Sequence, residues 1–520
     1  MQQEPINILM PTQSMSATIG KGTIFGIVAG LTQMSTRLVT VPIVIGYLGL
    51  DGYGIWSIIM ATAGYMRFGS AGVKSAFQKY VAEATGSGDF LKANKLLSTG
   101  TAAMLVLSIL GLIPIAIFSQ NLARVMGVPD EFLDSTAGAI SLLALIMVFS
   151  NAGAAYQAIV MGGHRIDLAR KFNTACTIME AIAIIIFLRL GYGLFAMSAI
   201  MAVSEVIYLG CCYLVSRSIL PQIQIAARYL SSNVLRELAS FAGSYQLVGI
   251  LQVLYMAILP VGIMNFYGAN AAGEYAIASR LLGAALIAQE AFLSPVLSGG
   301  SLVYASGSIE KMRTFLTKSF RMTFALAVLP LAFMAIHGTL IVFVWVGLVD
   351  ESLRMVLWLM TLIGLFGALS RLAFILYRAS GRTRMDNIRQ ALLIVMLIVI
   401  LSFSHQLGLV GVLGCLALVE LVGMIFMIAA IVRVFHGFSV RMLCPDVLKL
   451  TTATAAIMVI GIIVASVPLP WEVSERLLSA IKLGILSLVT LVTALPILLM
   501  TGSLTRSELT SILQMQKANG

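Results

Sequence analysis

Arg165-Ile-Asp-Leu-Ala-Arg170 and Arg384-Met-Asp-Asn-Ile-Arg389 share the pattern R-x-D-x-x-R and stand 219 residues apart. The same offset carries Gly49 and Gly54 onto Gly268 and Gly273. The second glycine of each pair is followed two residues on by an aromatic, Trp56 or Tyr275. Pro42 and Pro260 differ by 218, and Glu205 and Glu420 by 215. Any one match could be chance, but several at nearly one spacing mark an internal duplication.

Hydropathy says what is duplicated. The 520-residue chain is 59% hydrophobic and 11% charged, against about 25% charged in a soluble domain. Apolar segments of roughly 20 residues alternate with polar loops, the length of a membrane-spanning helix. Barrel strands would be nearer 10 residues. The segments read as helices at 23–48, 53–73, 98–119, 137–160, 174–189, 192–216, 239–265, 274–304, 322–345, 355–378, 390–404, 409–433, 449–467 and 478–500. The expected fold is therefore all-α, a polytopic membrane protein of 14 transmembrane helices. Six helices per repeat is an even number, so both copies insert the same way up. They should form two lobes related by a pseudo-two-fold axis along the membrane normal.

The lobes are expected at 23–216 and 239–433, joined by a linker at 217–238. An extra helix pair at 434–500 lies outside the repeat, and tails span 1–22 and 501–520. Residues 1–19 show no basic region leading a short apolar core, so the first helix is expected to serve as the insertion signal.

Charge sets the expected orientation. Of the 33 Lys and Arg, 24 fall on the side of the termini, 5 on the other side, and 4 inside spans. The positive-inside rule places both termini in the cytoplasm, in an inner membrane. The formal charge of +11 is thus a topology signal and an attraction to anionic lipid, not a nucleic-acid footprint. Trp56, Trp345, Trp358 and Trp471 fall at the outer helix ends, as an interfacial belt would. The loop 74–97, with Phe77, Tyr80, Val81 and Phe90 among lysines, has the look of an interfacial amphipathic helix.

Little in the chain could do covalent chemistry. Four scattered histidines make no metal motif, and there is no nucleotide-binding glycine loop. The five cysteines have neither zinc nor redox spacing and read as small core residues. No cofactor is expected, the chain is not expected to be an enzyme, and a monomer is expected. The repeated R-x-D-x-x-R reads first as a helix-end device in which Asp167 and Asp386 pin a basic loop.

The charges inside the spans are more informative. Arg37, Arg67, Arg280 and Arg371 interrupt apolar segments. A cation at mid-bilayer costs at least about 2.5 kcal/mol, so each should face protein or water. Glu180, Glu205, Glu290 and Glu420 are embedded as well. The eight charges either pair to hold helices together, or the arginines line a cavity for an anion. In the second case Glu205, Glu290 and Glu420 serve as cavity acids or as sites for a coupling ion, H+ or Na+. Arg280 and Glu290 share one helix ten residues apart, about 15 Å along the axis, so they cannot pair with each other.

Thr36-Arg37, Pro42, Leu48-Gly49, Tyr53-Gly54-Ile-Trp56, Gly69, Gly72, Lys79-Tyr-Val-Ala-Glu83 and Gly88-Asp89 together form a recognisable run. It resembles the amino-terminal portion of polysaccharide transporters of the multidrug/oligosaccharidyl-lipid/polysaccharide exporter superfamily, which includes the O-antigen flippases. The match is best over residues 20–100. The resemblance implies two six-helix lobes, with helices one, two, seven and eight around a cationic cavity. It places Arg37, Arg67, Arg280 and, less directly, Arg371 in that cavity. It implies flipping of an undecaprenyl-diphosphate-linked oligosaccharide, and a helix pair 13–14 that can hold a lipid tail. A lipid II flippase would work the same way. An ion-coupled MATE-type drug exporter would favour an acidic cavity, which four embedded arginines oppose.

Overall fold

The computed structural model describes residues 38–61, 88–163, 165–305, 308–347, 351–379, 384–435, 439–442, 444–465 and 475–500, together with 32, 35, 36, 77, 80 and 81. Among these residues there is helix and no strand. Eight helices are long and apolar enough to cross a membrane, nine if one bent pair counts as a single span. The protein is multi-pass.

The helices are α1 (38–48) and α2 (50–61), α3 (Phe90–Ile117), α4 (Leu133–Gly162), α5 (Ile166–Arg189) and α6 (Leu194–Ile219). The second half repeats them as α7 (232–267), α8 (269–285, continuing as Ile287–Ala305), α9 (Ile309–Val346), α10 (Glu351–Ala379), α11 (Arg384–Ser402) and α12 (Ser404–Val434). Then come α13 (Cys444–Ala465) and α14 (Glu475–Met500). In α8 the two stretches meet at a 55° bend. The same partners pack in both halves: α4 lies on α3 and α6 as α10 lies on α9 and α12. Helices α13 and α14 pack together and against α9.

The duplication extends to single backbone angles. Gly49 and Gly268 have φ of 70° and 85° at the α1–α2 and α7–α8 turns. Gly127 and Gly347, 220 residues apart, have 78° and 84°, and Gly191 and Gly408, 217 apart, have 86° and 64°. Only glycine takes such angles without strain, so six glycines fix the hairpin turns at one end of the bundle. We call this the turn end. At the opposite end Asp89 caps α3 by accepting from the Lys92 N–H, and Ser308 caps α9 by accepting from the Lys311 N–H. These residues also stand 219 apart. Each cap satisfies an orphan donor at a helix start.

Several helices begin earlier than hydropathy suggests. The third starts at Phe90, not 98, and the ninth at Ile309, not 322. Apolarity measures the bilayer, whereas these helices project beyond it on charged, capped turns. The linker after α6 is likewise ordered. Its segment 220–231 lies along α3, where the Asn94 amide donates to the Gln222 carbonyl and accepts from the Gln224 N–H. Ser98 and Thr99 accept from the Ala226 and Ser231 N–H groups. These contacts explain three buried polar residues on α3. Phe77 and Val81 are fully buried against α3 and α4 instead of facing lipid. Trp56 is buried in the core between the lobes, not in an interfacial belt, because it follows Gly54 into the seam. Cys176 and Cys212 are buried between α5 and α6, as small core residues should be, while Cys444 is exposed.

Candidate functional site

The lobes meet at the turn end through the repeated glycines. A Cβ on Gly54 would lie 2.1 Å from the Ala269 carbonyl oxygen and 2.8 Å from the Gly273 nitrogen. A Cβ on Gly273 would lie 2.6 Å from the Leu50 carbonyl oxygen. The equivalent turns α1–α2 and α7–α8 are thus pressed backbone to backbone across the pseudo-two-fold axis. Further along the seam, Asn265 on α7 donates its amide to the Val125 carbonyl at 2.5 Å. The Trp345 indole at the end of α9 donates to the Leu38 carbonyl on α1 at 2.6 Å. Among the described residues, the glycine contacts and the Asn265 bond lie at the turn end, while the Trp345 bond joins the turn-end tip of α9 to α1 eleven residues before Gly49.

Arg280 sits on α8, seven residues beyond Gly273 and so about 10 Å down the axis from the seam. It is half-buried. Its neighbour from the opposite lobe is Tyr53, only 2% exposed, whose hydroxyl lies beside the guanidinium. Among the described residues Arg280 has no carboxylate partner.

The other embedded charges are paired differently. Arg371 on α10 meets Glu290 on α8 at 2.8 Å, with side chains 41% and 49% exposed. The pair lies below the bend in α8, on the opposite side of that bend from Arg280. Leu282 packs into the space that Gly364 leaves on α10, and Arg371 follows seven residues on, about 10 Å further from the seam. The sequence reading separates Arg280 from Glu290, and the structure gives Glu290 a different arginine.

Glu420 on α12 is held more tightly. It accepts from the Tyr255 hydroxyl at 2.6 Å and from Arg389 Nη2 at 3.3 Å, and both charged side chains are nearly buried, 7% and 11% exposed. The network ties α7, α11 and α12 together. Arg389 reads as a loop charge from sequence, but α11 begins at Arg384, so it sits inside the lobe. Its repeat mate Arg170 is exposed, while Arg165 pairs locally with Asp167 at 3.2 Å, the helix-end device expected. Glu205, the repeat mate of Glu420, is partly buried beside Cys176, Tyr208 and Cys212. Arg37, Arg67 and Asp386 lie outside the residues whose side chains are described. The sequence reading missed Glu274, which is 5% exposed next to Gly273 and accepts from Ser352 at 2.7 Å. It sits at the start of a segment read as helix, where an acid looks like an ordinary first-turn residue.

One result separates a structural Glu420 from an ion site. Replacing Arg389 by Met strands a buried carboxylate and should cost about 3 kcal/mol. Replacing Arg389 and Glu420 together by Met should recover most of that, read as thermal unfolding in detergent. An ion-binding Glu420 would instead show stabilisation by that ion in the wild type, lost in the double variant.

Two six-helix lobes of repeated topology, closed at the turn end by equivalent glycine turns, are now in view. The fold is MATE-like. Residues 27–186 match the MatE family. The chain superposes on the lipid II flippase MurJ, in a conformation described as inward closed, with a TM-score of 0.64 and 15% identity over 91% of this chain and 98% of that one. It superposes on an inward-facing multidrug resistance MATE family transporter of the MOP superfamily with a TM-score of 0.63 and 17% identity, over 80% of this chain and 98% of that one. It is 22% identical over 312 residues to the uncharacterized membrane protein EpsK of Bacillus subtilis, and the alignment spans 59% of this chain and 61% of EpsK.

Proposed function

We propose that the chain is a flippase that moves an anionic lipid-linked oligosaccharide, carried on undecaprenyl diphosphate, across the membrane by alternating access. The observation that carries this reading is Arg280, a half-buried cation below the glycine seam, beside Tyr53 of the opposite lobe, with no acid of its own among the described residues. A membrane protein keeps such a charge at substantial cost, and a ligand that neutralises it offsets that cost. A diphosphate suits arginine because its oxygens take the guanidinium fork bidentately. Arg371 fits the same reading. Its acid, Glu290, is half exposed, so the pair can open to a competing phosphate. Arg37 and Arg67, one on each of the first two expected helices, would supply the opposite wall. Lobes that rock about the glycine seam would present this region to each leaflet in turn.

A second reading, lipid II as the lipid-linked substrate, is favoured by the share of the chain that superposes on MurJ, 91% against 80% for the MATE transporter. Both substrates present a diphosphate, so the arginines do not discriminate between them. A cationic drug does not suit Arg280.

The test is a deletion strain. Loss of the chain should abolish a surface glycan while its lipid-linked precursor accumulates in the inner leaflet. An intact glycan coat together with altered susceptibility to cationic drugs would overturn the proposal.

A further inference from the structure

We propose that the C-terminal helix pair holds the turn end of the lobes shut through a hydrogen-bond relay that runs from Arg476 through the end of α9 and Trp345 to α1. The relay follows from an account of carbonyl groups. In a helix the carbonyl of residue i accepts from the N–H of residue i+4. The Leu38 carbonyl would accept from residue 42, but residue 42 is proline and has no N–H. That carbonyl is therefore free, on an exposed face of α1, and the Trp345 indole takes it at 2.6 Å. A leucine carbonyl elsewhere in α1 would be occupied, so Pro42 creates the acceptor.

Trp345 is itself positioned. It stands two residues before Gly347, where α9 ends in a left-handed turn and the Gly347 N–H bonds the Phe343 carbonyl. The next two carbonyls, Val344 and Trp345, have no helical donor left. Arg476, in the first turn of α14, donates to both, from Nε at 3.2 Å and from Nη2 at 3.1 Å. Its guanidinium lies against the bare face of Gly347, where a Cβ would come within 3.5 Å of it. A cation suits the carbonyl end of a helix. Thus α14 fixes the end of α9, and the end of α9 reaches across the seam to α1. Among the described residues, no side chain of a further helix ties the end of the other lobe in this way. There the seam bond runs from Asn265 to the Val125 carbonyl directly. The extra helices therefore bias the opening of one side of the turn end.

The experiment reads the turn-end separation by double electron–electron resonance. Spin labels replace Tyr47 on α1 and Met355 on α10, both exposed, in a background lacking the five native cysteines. Trp345→Phe keeps the ring packing and removes only the donor. It should lower the closed-to-open ratio roughly three- to tenfold, the range of a single interhelical hydrogen bond in a membrane. Pro42→Ala restores the helical N–H to the Leu38 carbonyl and should act in the same direction. The double variant should go no further than the larger single one, because both remove one bond. Arg476→Gln should shift the distribution the same way. An unchanged distribution for Trp345→Phe, or additive effects of Trp345→Phe and Pro42→Ala, would overturn the relay. Thermal unfolding of each variant in detergent, unchanged within a few degrees, confirms that the labels report on a folded chain.

Discussion

Alanine at Gly54 is expected to push the lobes apart at the turn end and to shift the protein toward the conformation open there. The new Cβ would sit 2.1 Å from the Ala269 carbonyl oxygen, inside any tolerable contact, and the obstacle is backbone, which cannot rotate away. Overpacking of this kind costs about 1–3 kcal/mol, which corresponds to roughly a 5- to 150-fold change in the closed-to-open ratio. The same substitution at Gly273 meets the Leu50 carbonyl oxygen at 2.6 Å and should act alike from the other lobe. The two variants, measured with the Tyr47–Met355 label pair, should each widen the turn end. Transport should fall in both, since a protein held open on one side cannot complete its cycle. Gly46, where a Cβ meets nothing within 4 Å, is the control position, and alanine there should leave the distances unchanged.

Replacing Arg280 by Ala is expected to cost about 2 kcal/mol of headgroup binding, the worth of a charge-assisted hydrogen bond. That is roughly a thirty-fold slower transport at limiting substrate. Arg280→Lys keeps the charge but loses the planar fork, so it should fall between alanine and wild type. Arg280 has no acid partner among the described residues, so alanine leaves no carboxylate stranded and the folded protein should persist at normal levels. This contrasts with Arg389→Met, where Glu420 is left buried and stability should drop first.

The lobes, their duplication and the α1–α2 and α7–α8 turns were legible because each rests on something periodic: apolar length, residue spacing, and glycine where only glycine fits. The repeat could have been carried further. Gly127 with Gly347, and Gly191 with Gly408, were present in the sequence at nearly the same offset. The charges were harder, because a pairing depends on which helices are neighbours, and hydropathy does not order neighbours. Arg389 reads as a loop residue because its helix starts at Arg384, before its apolar stretch does. Glu290 could be denied Arg280 by arithmetic along one helix, yet its actual partner, Arg371, lies on another. The roles of Trp345 and Arg476 were hidden because both act on backbone carbonyls, which the sequence shows only through Pro42 and Gly347.

The most direct test is flipping in proteoliposomes with a fluorescent oligosaccharide linked to a long-chain prenyl diphosphate, compared with the same sugar on a neutral lipid. The wild-type chain should move the diphosphate compound and leave the neutral one, and Arg280→Ala should slow that movement roughly thirty-fold. Equal movement of both compounds, or an Arg280→Ala rate equal to wild type, would contradict an anion-gripping flippase.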